Sequence, residues 1–195
     1  MEATSDAEDP VSRAFAETPR AWFVPADRQA DAAEDRPVTI GWGQTNSQPT
    51  TVMNMLRLLD VRSGHRVLDI GAGSGWSTAL LGALTEEHGS VLGIERIPEL
   101  AESARSALGR TGRGWATVRT ADPGVLGAPE EAPFDRILVS AEADRVPAEL
   151  VDQLADGGVL VIPVKSEMLR IRRTREGLES TRHGGYRFVP LITDE

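Results

Sequence analysis

Three glycines, Gly71, Gly73 and Gly75, follow the apolar run RVLDI, and acids close two later apolar runs: Glu95 ends SVLGIE and Asp122 ends WATVRTAD. Glycine in such a turn lets backbone N–H groups approach a ligand closely. An acid at the neighbouring strand end can accept hydrogen bonds from ribose hydroxyls, and one on the next strand would lie beside an adenine. Together they suggest a nucleoside site. One helix upstream, GWGQTNSQP (41–49) gathers Thr45, Asn46 and Ser47 just ahead of another helical run. Short polar side chains there can cap that helix, and a helix N-terminus also favours an anion. From these residues alone, capping and reception of a carboxylate both stay open.

The elements that must position these groups alternate along the chain. VSRAFAE gives a short helix ending near Glu17, Trp22 and Phe23 form an aromatic knot after Pro19, and 26–36 is a polar loop or partial helix. From Pro49, the residues Val52, Met55, Leu56 and Leu59 fall at i, i+3, i+4, i+7, one face of a helix. Strands are expected at 66–70, 90–95, 115–122, 134–141 and 158–164. Helices are expected in WSTALLGALTEE, in IPELAESARSALGR with Pro98 near its start, and in VPAELVDQLA, closed by Gly157 and Gly158. EMLRIRRT (167–174) and YRFVPLI (186–192) flank the polar REGLESTRHGG and read as a hairpin. This pattern predicts an α/β fold: a Rossmann-like, mostly parallel sheet with helices on both faces and a C-terminal antiparallel hairpin. A disordered leader is expected over 1–10, and one domain over 11–195.

Composition removes several classes of function. The chain of 195 residues carries a net charge of −9, which counts against non-specific binding to nucleic acid or anionic membrane. No apolar run approaches the roughly 20 residues of a membrane span. Neither partner is expected. The lack of cysteine excludes a disulfide framework and thiolate metal sites, and suits a cytoplasmic protein. The acidic opening MEATSDAEDP lacks the character of a secretory signal. His65, His88 and His183 are dispersed, so no metal site is expected. Arg170, Arg172, Arg173 and Arg175 read as a solvated basic strand face that blunts a sheet edge.

The dinucleotide fingerprint G-x-G-x-x-G fails here, because position 76 is Trp76. DIGAGSG instead resembles the first motif of class I S-adenosylmethionine-dependent methyltransferases; a glycine-rich turn without a ligand is the bland alternative. IGWGQTNSQP, followed by a helix and RVLDIGAGSGW, resembles the protein-L-isoaspartate O-methyltransferase family, whose signature is approximately G-Q-T-I-S-Q-P. PRAWFVP, GIERIPELAESAR, APFDRILVSAEADRVPAELVDQLADGGVLVIPV and RFVPL are similar to further family segments in the same order. The resemblance spans nearly the whole chain.

What the resemblance implies is specific. The donor is S-adenosyl-L-methionine, leaving S-adenosyl-L-homocysteine, and the acceptor is the side-chain carboxylate of an L-isoaspartyl residue in a peptide or protein. The ester then closes to a succinimide, and hydrolysis returns part of the material to normal aspartate. Some members instead methylate a normal aspartate of a dedicated ribosomal peptide to form an aspartimide. Ser47 matches the family's active-site serine, which holds the carboxylate and is not a nucleophile. Thr45 and Asn46 line the same turn on the cofactor side. Gly71, Gly73 and Ser74 would line the methionine moiety, Glu95 the ribose with Arg96 beside it, and Ala121 and Asp122 the adenine. Val189, Pro190 and Leu191 would present backbone to an extended peptide, and the chain would act as a monomer. Departures from the family pattern are Asn46 for isoleucine, A-D-P at 121–123 for G-D-G, and Glu142 for a small residue. The segment 26–36 also lacks the usual tyrosine-containing approach. A non-catalytic peptide binder and a nucleic-acid methyltransferase on the same fold are the readings from other classes.

Overall fold

Burial of whole strands builds the centre of this molecule. In the strand Arg66–Ile70 (β3) only Arg66 is exposed, as expected where both sheet faces are covered. The computed structural model describes residues 9–192. Helix α1 (Pro10–Glu17) is followed by 3-10 turns at Arg20–Phe23 and Ala26–Ala33. A hairpin of β1 (Val38–Gly41) and β2 (Gln44–Asn46) precedes α2 (Pro49–Leu59). After β3 come α3 (Trp76–Thr85), β4 (Ser90–Glu95), α4 (Pro98–Gly109), β5 (Ala116–Thr120) and β6 (Phe134–Val139). The chain ends in α5 (Ala148–Asp152), β7 (Leu154–Val164), β8 (Glu167–Thr174) and β9 (Gly177–Gly185).

Seven strands form one sheet in the order β5-β4-β3-β6-β7-β8-β9. The first five are mutually parallel, while β8 and β9 are antiparallel additions at one edge. Strand order reverses direction between β3 and β6, so their carboxyl ends form the crevice where such sheets bind ligands. One core gathers Val52, Leu56, Leu59, Leu80, Ala101 and Leu138 on the face carrying most of the helices. The other gathers Leu68, Ile137, Leu150, Leu160 and Ile162, beneath the short α5. Leu56 and Leu59, placed on one helix face by the sequence period, are fully buried; each such side chain contributes about 1.5–3 kcal/mol.

Two expected elements need correction. The strand paired with β8 is β9, inside the stretch read as a polar turn, and 186–192 forms no regular strand. All residues of β9 are exposed except the half-buried His183, so no buried apolar face signals this edge strand, which is held by its ladder with β8 and by surface contacts such as the Arg182–Glu167 ion pair. The helix expected over VPAELVDQLA shrinks to Ala148–Asp152, since Leu154 already pairs with Phe134 and starts β7. The polar segment 26–36, expected as a loop or partial helix, contains the 3-10 helix Ala26–Ala33. Residues 1–8 of the expected leader lie outside the described residues, while Asp9 caps α1 and Pro10 opens it.

Candidate functional site

The glycine turn after β3 adopts backbone angles that glycine tolerates and other residues rarely do. Gly71, Gly73 and Gly75 have φ of 74°, 55° and 87°. Gly71 and Ala72 both donate their N–H groups to Ile94 O, at 2.9 and 3.1 Å, which ties the turn to the end of β4. At Gly75 a Cβ would lie 3.0 Å from Ala104 Cβ, so this glycine also admits the close approach of α4.

Glu95 organises the floor. Its buried carboxylate accepts from Gly73 N at 2.8 Å through Oε2 and from Ile97 N at 2.9 Å through Oε1. An ionised carboxylate has about four acceptor positions, so two N–H bonds leave room for hydroxyl donors. Beneath it, Asp69 is fully enclosed. Ser77 and Thr78 hydroxyls both donate to its Oδ2 at 2.7 Å, and Oδ1 has no partner. Burial, with a smaller push from the Glu95 charge, raises the Asp69 carboxyl to about 6.

One pocket opens over these groups. Its wall includes Gln44 and Thr45 from β2, Gly71 and Gly73, Glu95 and Arg96, and Ala121. Ser140 and Ala141 after β6 and the segment Val189–Ile192 complete it. A second concavity of about 420 Å³ adjoins it through Arg96, Ala121, Val125 and Leu191, and Asp122 lines that one.

Not every expected residue reaches the wall. Alternation along β2 turns the exposed Thr45 to the pocket and sends Asn46 inward. Asn46 is buried: its Oδ1 accepts from Arg20 Nε at 2.6 Å and its Nδ2 donates to Ser74 Oγ at 3.0 Å. Ser74 is thereby drawn away to a separate cleft beside Trp22 and Trp42. Asn46 and Ser74 therefore lock the hairpin to the glycine turn, outside the pocket itself. Ser47, two residues beyond Thr45, does not line the pocket wall; its carbonyl accepts from Arg20 Nη2 at 2.9 Å. Its hydroxyl makes no hydrogen bond among the described residues.

The capping alternative for Thr45 and Ser47 does not hold. The cap of α2 is the Asp35 carboxylate, which accepts from Thr50 N at 2.9 Å, Thr50 Oγ1 at 2.8 Å and Gln48 Nε2 at 3.0 Å. These bonds hold Asp35 below its ordinary value, the Thr50 N–H contributing most. That helix end is already served by an anion.

Arg20, unremarked in PRAWFVP, sits at the centre of this region. It is 6% exposed and donates to the carbonyls of Glu34, Arg36, Asn46 and Ser47 at 2.9–3.1 Å. Its guanidinium also lies over the Trp76 ring, 5.4 Å from the centroid. Sequence carried no signal for this role, because a buried arginine paired with carbonyls has no local pattern. Ser140 and Ala141, by contrast, follow the same strand-end rule as Glu95.

Two of the departures from the family pattern can be followed in the structure. Asn46 makes two buried hydrogen bonds that isoleucine lacks the atoms for. Glu142 is engaged through its backbone, donating to Val189 O at 2.8 Å and accepting from Leu191 N at 2.7 Å. Its carboxylate turns to Ser166, at 3.4 Å, and lines neither concavity. No histidine lines the pocket, and among the described residues no group of three His, Asp or Glu side chains is placed to hold a metal ion.

Residues 3–195 match the model of the protein-L-isoaspartate(D-aspartate) O-methyltransferase family. The chain belongs to this family. It is 49% identical over 191 residues to protein-L-isoaspartate O-methyltransferase 2 of Marinobacter nauticus, covering 95% of this chain and 85% of that one. It is 45% identical over 190 residues to the protein-L-isoaspartate O-methyltransferase of Methanopyrus kandleri, covering 95% and 84%. Among solved structures, one protein-L-isoaspartate O-methyltransferase superposes with a TM-score of 0.87 at 26% identity; the match spans 96% of this chain and 62% of that one. A Plasmodium falciparum member, in complex with S-adenosyl-L-homocysteine, gives 0.83 at 26% identity and covers 96% and 92%. Among the described residues no helix is long and apolar enough to cross a membrane.

Proposed function

We propose that this isoaspartate methyltransferase family member transfers a methyl group from S-adenosyl-L-methionine to the carboxylate of L-isoaspartyl residues in peptides or proteins. The observation that carries the reading is the shared wall of one pocket, where Thr45 of the family signature meets Gly71, Gly73, Glu95 and Val189–Leu191. The pocket fits such a donor: glycines without Cβ atoms line it, and Glu95 keeps acceptor positions beside Arg96. When bound, S-adenosyl-L-methionine supplies an electrophilic methyl group on a sulfonium.

The residues of the chain do the rest by placement. The acceptor carboxylate is ionised at pH 7 and needs no general base, which agrees with a pocket free of histidine. Ser47 offers it an uncommitted hydroxyl, held in place through the Arg20 bond to its carbonyl. Gly71, Gly73 and Glu95 hold the methionine and ribose ends, with Ala121 at the adenine end and Asp122 at the mouth of the adjoining concavity. Val189 O and Leu191 N are spent on Glu142, so an extended peptide meets the opposite edge, where Pro190 offers only its carbonyl. Alignment of two reactants in this way can be worth about 7–11 kcal/mol. Opposite charges disappear on reaction, so a site that excludes water assists it.

The test is methyl transfer from labelled donor to an isoaspartyl peptide and to its aspartyl twin. Label should appear on the isoaspartyl peptide alone. Label on the twin, or on neither, overturns the reading.

A further inference from the structure

The opposite end of the sheet holds a separate concavity, about 390 Å³, that the proposed reaction does not use. It lies at the amino ends of β3, β6 and β7, one strand length from the glycine turn, roughly 15 Å at the usual rise per residue. Arg62, Arg136, Arg170 and Arg172 line it together with His65, and Asp60 supplies the one carboxylate on its wall. On a chain of net charge −9 this is a local inversion of sign.

Strand register explains the convergence. Arg136 on β6 pairs with Val159 on β7, and Val159 pairs with Arg172 on β8. The three side chains therefore share one row and one face of the sheet, with Arg170 two residues along the same face. Two of the guanidiniums also grip the end of α2: Arg170 Nε donates to Leu58 O at 2.8 Å and Arg136 Nε to Asp60 O at 3.0 Å. Capping a helix C-terminus accounts for those two nitrogens. It does not account for the rest. Arg136, 9% exposed, also donates Nη1 to Asp135 O at 2.8 Å, but its Nη2 has no acceptor among the described residues. Neither Nη atom of Arg170 has one, and Arg172 makes no hydrogen bond or ion pair at all there. Arg62 Nη2 donates to Asp60 at 3.1 Å.

His65 adds a neutral donor. Its Nδ1 accepts from Arg62 N at 3.1 Å, so the neutral ring carries its proton on Nε2. Burial first, then the Arg136 charge, holds its pKa below the ordinary value. Arg136 is lowered too, by burial foremost, against raising charges at Asp60 and Asp135 and with Arg170 and Arg62 pressing in the same direction as burial.

We propose that this concavity is a binding site for a multivalent phosphate anion, such as pyrophosphate or the phosphate chain of a nucleotide. A carboxylate offers two oxygens and one charge, which one guanidinium satisfies. Several guanidiniums with spare N–H groups match a ligand with more charges and more acceptor oxygens. The site is independent of the pocket at the carboxyl ends of the strands.

Calorimetric titration of the full chain with pyrophosphate, and in parallel with ATP, at low ionic strength tests this. Saturable binding with Kd below about 1 mM is expected, unchanged by saturating S-adenosyl-L-homocysteine. A nucleotide as the natural ligand makes ATP the tighter of the two; equal affinity points to the phosphates alone. Arg136→Gln and Arg172→Glu should each weaken binding about tenfold or more. Arg172 is exposed and unbonded, so its variant retains the fold even if the Arg136 variant does not. Arg182→Glu, on the neighbouring strand but outside the concavity, is the control for bulk charge and should leave affinity unchanged. No saturable binding, equal weakening by Arg182→Glu, or displacement by S-adenosyl-L-homocysteine overturns the proposal. The last outcome would put the anion in the methyl-transfer pocket; failure of methyl transfer with pyrophosphate binding intact would reject only the proposed reaction.

Discussion

Asn46 donates its amide to Ser74 Oγ at 3.0 Å, joining the signature hairpin to the glycine turn through two buried side chains. The same amide accepts from Arg20, which holds the carbonyls of Asn46 and Ser47. The signature hairpin and the glycine turn are thus one hydrogen-bonded unit.

Asn46→Ile restores the family's usual side chain but strands Arg20 Nε without its acceptor. A loss of about 1–3 kcal/mol is expected, measured by urea denaturation. The Michaelis constant for an isoaspartyl peptide should rise with it, because Ser47 is positioned through the same arginine. Unchanged stability would mean that Arg20 finds another acceptor.

Ser47→Ala should lower turnover while leaving S-adenosyl-L-homocysteine affinity unchanged and stability within about 0.5 kcal/mol. The small stability effect follows because Asp35, and not Ser47, caps α2. Asp35→Ala should do the reverse, lowering the melting temperature. The folded pKa of Asp35 lies below its unfolded value, so its contribution is present at neutral pH and disappears as pH falls through the folded pKa. Melting curves of the two variants from pH 7 down to acid would separate cap from substrate contact.

Glu95→Gln removes one of the two oxygens that hold Gly73 N and Ile97 N. Donor affinity should fall at least about tenfold, or about 1.4 kcal/mol, read by calorimetry with S-adenosyl-L-homocysteine. An unaltered affinity would reduce Glu95 to a scaffold for the glycine turn.

Asp69 works in the opposite sense from Asp35. Its folded pKa, about 6, lies above the unfolded value of 3.8, so between those values the folded state holds the extra proton. Stability from this group is therefore greatest below pH 4 and falls as pH rises toward 6, by a few kcal/mol in order of magnitude. Asp69→Asn should flatten that fall and gain stability at pH 7 relative to the parent chain. Urea titrations at pH 4, 5, 6 and 7 check it; parallel curves for the two proteins would reject the assignment.

Much of this protein is legible without coordinates, because the signals are local. Apolar period identifies α2 and the parallel strands, and a glycine turn between a strand and a helix marks where positive φ is needed. Glu95 follows from strand-end position alone and lines the pocket, whereas Asp122, read in the same way, lines the adjoining concavity; Ala121, on the pocket wall, is implied only by the family resemblance. Tertiary structure decided what depends on pairing and reach. Whether Thr45 or Asn46 faces the pocket rests on the pairing of β2 with β1, where a shift by one residue exchanges the two faces. Asp35 caps a helix across 15 residues of chain, and no local preference for Ser or Thr could foresee a carboxylate arriving first. The strand β9 has no buried face to announce it, and four arginines from two strands and a loop converge only once β6, β7 and β8 are in register. Local chemistry chose the parts; long-range geometry chose which of their atoms meet.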